Sequence, residues 1–325
     1  MKSMLSCMLA AALLATAALA DSQRAAPVQK AKLKLAMFVW RGETEAEKAF
    51  VQGLQQAGYQ LEITIYDAGQ NPGHLRALLG VFEKRVAGFD LVYSFGTTAS
   101  KAVKTALAER KPQIFTIVAA PVESGLVPSL EASGANLAGA SNMVPLETQL
   151  DNARGLFAFN RLGVLVNTAE ENSCVVADKL ARLGARQGFA VERLDCQPTE
   201  ASLRQALAAA TNAKAGLDAL YLPNDSFLVS QAKPIGAALR SAKLKSVASV
   251  RDYIEAGALA GTVADYHKLG LAAATLALKA LRGGSLKDSP VILDREPALL
   301  VNRQTAAELK VAVPAGLKPQ PVLVP

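Results

Sequence analysis

A chain of 325 residues, 51% of them hydrophobic and 19% charged, can bury substantial cores and is long enough for about two domains. Its net charge of +7 is scattered, with no basic run and no interleaved aromatics, which argues against a nucleic-acid surface. No zincin, Cys-x-x-Cys, nucleophile-elbow, Walker or dinucleotide-binding pattern occurs, and neither His74 nor His267 has an acid and a nucleophile at a diagnostic spacing. No catalytic residue, metal or cofactor is expected.

Residues 1–20 run from Lys2 through an apolar segment (4–15) to Ala18-Leu19-Ala20, the layout of a secretory leader. The apolar run is too short to span a bilayer comfortably. Cys7 lies too early, and without the small-residue context, for a lipid anchor. The expectation is a periplasmic protein cleaved after Ala20, with 305 residues and a net charge of +6.

After residue 30 short apolar strands alternate with amphipathic helices. Strands are predicted at 33–39, 61–66, 91–94 and 114–118, with helices at 44–57, 72–86 and 98–109 between them. A turn-rich stretch, 119–145, separates these from a second series. There helices are predicted at 146–157, 173–187, 200–211 and 227–240, and strands at 162–166, 190–194, 217–222, 246–250 and 261–264. The apolar run 269–281 contains Lys279 and reads as a buried helix, and the Pro-rich end near 318–321 as a loose or surface-tied tail. Such βα repetition predicts an α/β protein with two doubly wound parallel-sheet lobes and a cleft between them.

Ligands of open α/β sheets bind beyond the carboxyl ends of the strands, beside helix N-termini. That rule selects Trp40-Arg41-Gly42-Glu43, Gly96-Thr97-Thr98, Ala119-Ala120-Pro121, the loop 167–173 with Asn172 and Ser173, Asn224-Asp225, and Arg251-Asp252. Gly96-Thr97-Thr98 reads either as an anion seat or as a plain threonine cap. Glu170 and Glu171 read as a solvated loop or a favourable helix start rather than as acids or bases of a reaction. Cys174 and Cys196 both fall at the cleft edge of the second sheet, where they are either bridged by a disulfide or two separate thiols.

Further runs stand at Leu-Val-Tyr-Ser-Phe-Gly-Thr-Thr-Ala (91–99), Pro-Val-Glu-Ser-Gly-Leu-Val-Pro-Ser-Leu (121–130), Asn-Leu-Ala-Gly-Ala-Ser (136–141) and Leu-Pro-Asn-Asp (222–225). With them go Gly-Val-Leu-Val-Asn at 163–167, Glu-Asn-Ser at 171–173, 257–261, 265–270 and Leu-Val-Asn at 300–302. Together and in order, these runs resemble the ABC-transporter substrate-binding proteins of the tryptophan/tyrosine-binding type. The resemblance implies a type I periplasmic-binding fold with lobe 1 at 31–142 plus 264–288 and lobe 2 at 143–263 plus 289–325. It implies an amino acid held by hinge closure, with Thr97 and Thr98 on its carboxylate and Asn172, Ser173, Asn224 and Asp225 facing them. Its partners would be inner-membrane permease subunits or, alternatively, a membrane sensor, and such folds commonly work as monomers. The chain departs from the family at Ala120, where many relatives carry an acid, and at Arg41 and Arg251. These changes suggest a more anionic ligand, with Trp40 as a stacking wall, unless Glu43 and Asp252 pair with the two arginines.

Overall fold

The computed structural model describes residues 32–325, so the expected leader and the expected cleavage after Ala20 lie outside the described residues. Strand β1 (Lys32–Val39) begins as alternating lysine and leucine and ends fully buried. Thr44 then caps α1 (Glu45–Gln56): its side chain accepts from the Ala46 amide, and Glu47 reaches back to the Thr44 amide at 2.7 Å. Glu47 is itself buried and also accepts from the Tyr93 hydroxyl at 2.8 Å. Burial pushes its carboxyl above the usual range, an effect partly offset by the Thr44 and Tyr93 hydrogen bonds.

The first lobe continues with β2 (Gln60–Asp67), α2 (Pro72–Glu83), β3 (Leu91–Phe95), α3 (Thr97–Leu107), β4 (Gln113–Thr116) and β5 (Leu137–Ser141). The second holds α4 (Leu146–Arg154), β6 (Arg161–Asn167), α5 (Glu171–Gln187), β7 (Ala190–Cys196), α6 (Glu200–Thr211), β8 (Ala219–Leu222), α7 (Ser226–Ser230), α8 (Ala232–Ser241), β9 (Lys245–Ala248), α9 (Arg251–Glu255) and β10 (Ala260–Val263). The chain returns through α10 (Tyr266–Leu281) and β11 (Ile292–Leu293), then ends in β12 (Ala298–Asn302), α11 (Arg303–Glu308) and β13 (Val322–Val324).

The first sheet is parallel throughout, in the order β11-β5-β4-β3-β1-β2. The second runs β13-β12-β10-β9-β8-β6-β7, with one antiparallel pair, β10 with β12. Period-two alternation splits the second core: Leu165, Leu194 and Leu222 pack on one face, Val164, Val166 and Tyr221 on the other. The expected α/β elements are present, with local differences. The stretch 119–145 contains a full strand, β5, and the expected helix 227–240 is broken into α7 and α8 at Gln231. The tail is tied down, since Val322 pairs with Leu300.

The expected start of the second lobe's last segment at 289 is corrected by Ile292, which pairs with Ala140 of the first sheet. Three short crossings therefore join the sheets: 142–145, 264–265 and 294–297. Helix α10 belongs to the first core, where it lies against α1 along small residues. A Cβ on Gly270 would stand 2.3 Å from the Ala46 carbonyl oxygen, whereas one on Gly80 of α2 would meet nothing within 4 Å. Gly270→Ala is expected to force the two helices apart and cost about 1–3 kcal/mol in urea denaturation. Gly80→Ala should be neutral or stabilising by up to about 1 kcal/mol in the same experiment.

Candidate functional site

The carboxyl ends of the two sheets face each other across a small pocket lined by Trp40, Arg41, Phe95, Gly96, Thr97, Thr98, Ile117, Ala119, Glu170, Asn172, Asn224 and Ser226. It is almost closed, leaving room for about one water molecule (about 10 Å3). On the first lobe, β3 delivers Phe95 and then Gly96, whose φ of +80° suits glycine and turns the chain into α3. Gly96 is the N-cap and no side chain caps this helix, so the plain threonine cap is excluded and the first amides of α3 keep their positive end towards the pocket. Ile117 has a φ of +55°, a strained setting for a β-branched residue, which turns the chain at the end of β4 so that Ala119 reaches the pocket.

Arg41 lies with its guanidinium carbon 5.7 Å from the centre of the Phe95 ring, and its Nε is buried without an acceptor. Among the described residues Arg41 forms no ion pair, so the pairing with Glu43 does not occur. Trp40 is 4% exposed, and its indole N–H donates to Glu170 Oε1 at 3.2 Å, from one lobe to the other. Two ion pairs also span the gap: Lys101 with Glu171 at 2.6 Å, and Lys179 with Glu123.

Glu170, expected in a solvated loop or at a favourable helix start, stands at the N-cap of α5. It is 6% exposed, and its second oxygen accepts the Ser226 amide at 3.2 Å. Asn172 donates to the Asn224 carbonyl at 2.6 Å and fixes the two second-lobe loops together. Other selected residues sit behind the pocket. Asp225 is fully buried and accepts the Leu228 amide at 2.8 Å and the Asn167 side-chain amide at 3.3 Å. Ser173 is also fully buried and accepts the Asn167 amide at 3.1 Å. Ala120 lines an adjoining chamber instead.

Arg251 does not line this pocket. It pairs with Glu255 at 3.3 Å and lines a neighbouring cavity, beside Glu43, Lys48, Asp252 and Asp265, which Arg41 also borders. With Arg251 outside and Glu170 inside, the excess positive charge expected of the pocket is absent: Arg41 faces one carboxylate. Of the two alternatives for the cysteines, the separate thiols are found: both are free. Cys196 packs with the Leu194 face of the second sheet and Cys174 with the opposite, α5-covered face. Burial, and behind it the charges of Asp225 and Asp195, push the Cys196 thiol up to about 11, so it stays protonated.

A family model for ABC transporter substrate binding proteins matches residues 37–322. The chain belongs to that family. It is a family of solute binders and not of enzymes, and its members act outside the cytoplasm. A protein of Clostridioides difficile described as a tyrosine-binding protein is 29% identical over 272 residues, 82% of this chain and 76% of that one. Among solved structures, a Streptococcus pneumoniae domain in complex with L-Trp matches with a TM-score of 0.79 at 23% identity, covering 90% of this chain and 100% of that chain. A ligand-free, open substrate binding protein with adhesive properties from Clostridium difficile matches at 0.69 and 25% identity, covering 90% and 99%.

In this substrate-binding protein the second-lobe wall holds two adjacent acids. Burial, reinforced by the charge of Glu170, pushes the Asp225 carboxyl well above the usual range. Its proton is thus held more tightly in the folded than in the unfolded chain. The resulting stabilisation is full below the unfolded value of about 3.9 and is lost as pH rises towards the folded value. Between pH 4 and 8, Asp225→Asn should therefore gain thermal stability relative to the parent protein. Parallel melting curves at every pH would contradict this.

Proposed function

We propose that the chain captures an α-amino acid as its zwitterion, outside the cytoplasm, and delivers it to an ABC permease. The observation that carries this reading is the charge layout of the pocket. Uncapped amides of α3 at Thr97 and Thr98, with Arg41, form a seat for a carboxylate, and Glu170 stands opposite as the acceptor for an ammonium. Neither charge is supplied by the same lobe as its opposite, so a zwitterion rewards the approach of both. The tyrosine-binding relative and the tryptophan-bound structure support the amino-acid class.

Room for one water is too little for an amino acid, so admission requires the lobes to part about the three crossings. The moving bodies in this reading are 32–141 with 266–293, and 146–263 with 298–325. Closure then restores the Trp40–Glu170 bond and the two ion pairs at the rim. Secretion by the leader, with cleavage after Ala20, puts the mature chain in the periplasm beside its permease.

Isothermal titration of the mature protein with aromatic amino acids and their N-acetyl derivatives tests the layout. N-acetylation, which removes the ammonium, should abolish binding. Glu170→Gln, which keeps an acceptor for Trp40, should weaken it by about tenfold or more (about 1.4 kcal/mol). An N-acetyl amino acid bound as tightly as the free one would overturn the proposal.

A further inference from the structure

Each sheet ends in two edge strands, whose outer backbone groups are free to pair with another chain. Among the described residues three of these edges are protected. In the first sheet β11 is only two residues long. In the second sheet β13 is three residues long and flanked by Pro321 and Pro325, and β7 carries Glu192, Arg193 and Asp195 among its seven residues. Strand β2 is different. It is eight residues long, Gln-Leu-Glu-Ile-Thr-Ile-Tyr-Asp, without lysine, proline or glycine, and its only charges are Glu62 and the terminal Asp67. We propose that β2 pairs with β2 of a second copy of this chain, antiparallel and centred on Ile63, and so joins two first-lobe sheets into one.

The backbone of β2 is prepared for this. The Ala68 amide donates to the Val39 carbonyl at 2.9 Å, and in a parallel pair the N–H and C=O of one residue point the same way. Even-numbered residues of β2 therefore bond to β1, and Leu61, Ile63 and Ile65 turn both backbone groups outward. Their side chains share one face of the sheet. Their register partners in β1, Leu33, Leu35 and Met37, are buried, whereas Ile63 is 36% and Ile65 49% exposed. The cover of this face thus stops one strand short of the edge.

The side chains then choose the register. A two-fold axis normal to the sheet keeps each face continuous across the contact. With Ile63 on the axis, Leu61 meets Ile65 of the second copy, Glu62 meets Thr64, and the outward residues exchange hydrogen bonds in pairs. Centring on Glu62 would oppose two carboxylates, centring on Thr64 would set Leu61 against Asp67, and centring further out shortens the pairing. The surrounding fold permits the contact. Two of the crossings leave from β5 and β11, at the opposite edge of the sheet, and the opposed strand directions point the two pockets to opposite ends of the joined sheet.

Sedimentation equilibrium of the mature protein from about 1 μM to about 1 mM is the test. A contact along a single strand is small beside a standard interface, so a dissociation constant on the order of 100 μM is expected. Ile63→Lys sets two ammonium groups against each other on the axis and should raise that constant by about tenfold or more. Thr64→Lys, one position along, sets each new ammonium opposite Glu62 of the second copy and should lower it by about threefold. Val322→Lys, at a residue 50% exposed on the edge strand β13, should leave it unchanged. Circular dichroism checks the fold of each variant, and a tighter dimer in Thr64→Lys cannot come from lost structure. A parent protein that stays monomeric up to about 1 mM, a dimer indifferent to Ile63→Lys, or one weakened by Thr64→Lys would overturn the proposal.

Discussion

Each parallel strand must be followed by a segment that carries the chain back, so all carboxyl ends of the sheet open at one edge. In this protein two such edges are held face to face. Strands β1, β3 and β4 bring Trp40, Gly96 to Thr98 and Ala119 to one wall, and β6 and β8 bring Glu170, Asn172 and Asn224 to the other. Backbone amides and side chains that have no partner within a lobe thereby meet groups from the other lobe. The three crossings are two to four residues long, which keeps the edges opposed.

Within that cleft the decisive cost is the burial of a carboxylate. Charge removed from water is tolerated only where donors replace the hydration shell. Glu170 receives one donor from each lobe, the Trp40 indole and the Ser226 amide. Asp225, next to it, has its carboxyl driven towards the neutral form by burial and by the charge of Glu170. Opposite stands Arg41, held over Phe95 and without an ionic partner among the described residues.

The alternation of apolar strands and amphipathic helices was legible because burial on both faces leaves continuous hydrophobic runs. The strand-end rule needs only strand direction, and it selects Trp40, Arg41, Gly96, Thr97, Thr98, Asn172 and Asn224, all of which line the pocket. The burial of Glu170 depends on a partner distant in sequence, an indole 130 residues away, whereas Arg251 is turned towards a local one, Glu255, by the short helix α9. The two readings of the cysteines stayed open for a topological reason. The order β8-β6-β7 means that the β6-to-β7 and β7-to-β8 connections run in opposite directions, and right-handed crossovers then place α5 and α6 on opposite faces. Strand order is not written in the local pattern.

The contacts between the lobes differ in how they meet the solvent. The Trp40–Glu170 bond is sealed from water, while the Lys101–Glu171 pair has side chains 39% and 47% exposed. Charges at such a rim are screened over about 8 Å at physiological ionic strength and over shorter distances in brine. Salt thus loosens the outer fastening and leaves the inner one untouched. Ionic strength thus separates the two kinds of fastening, and the buried Trp40–Glu170 bond is the one it does not reach.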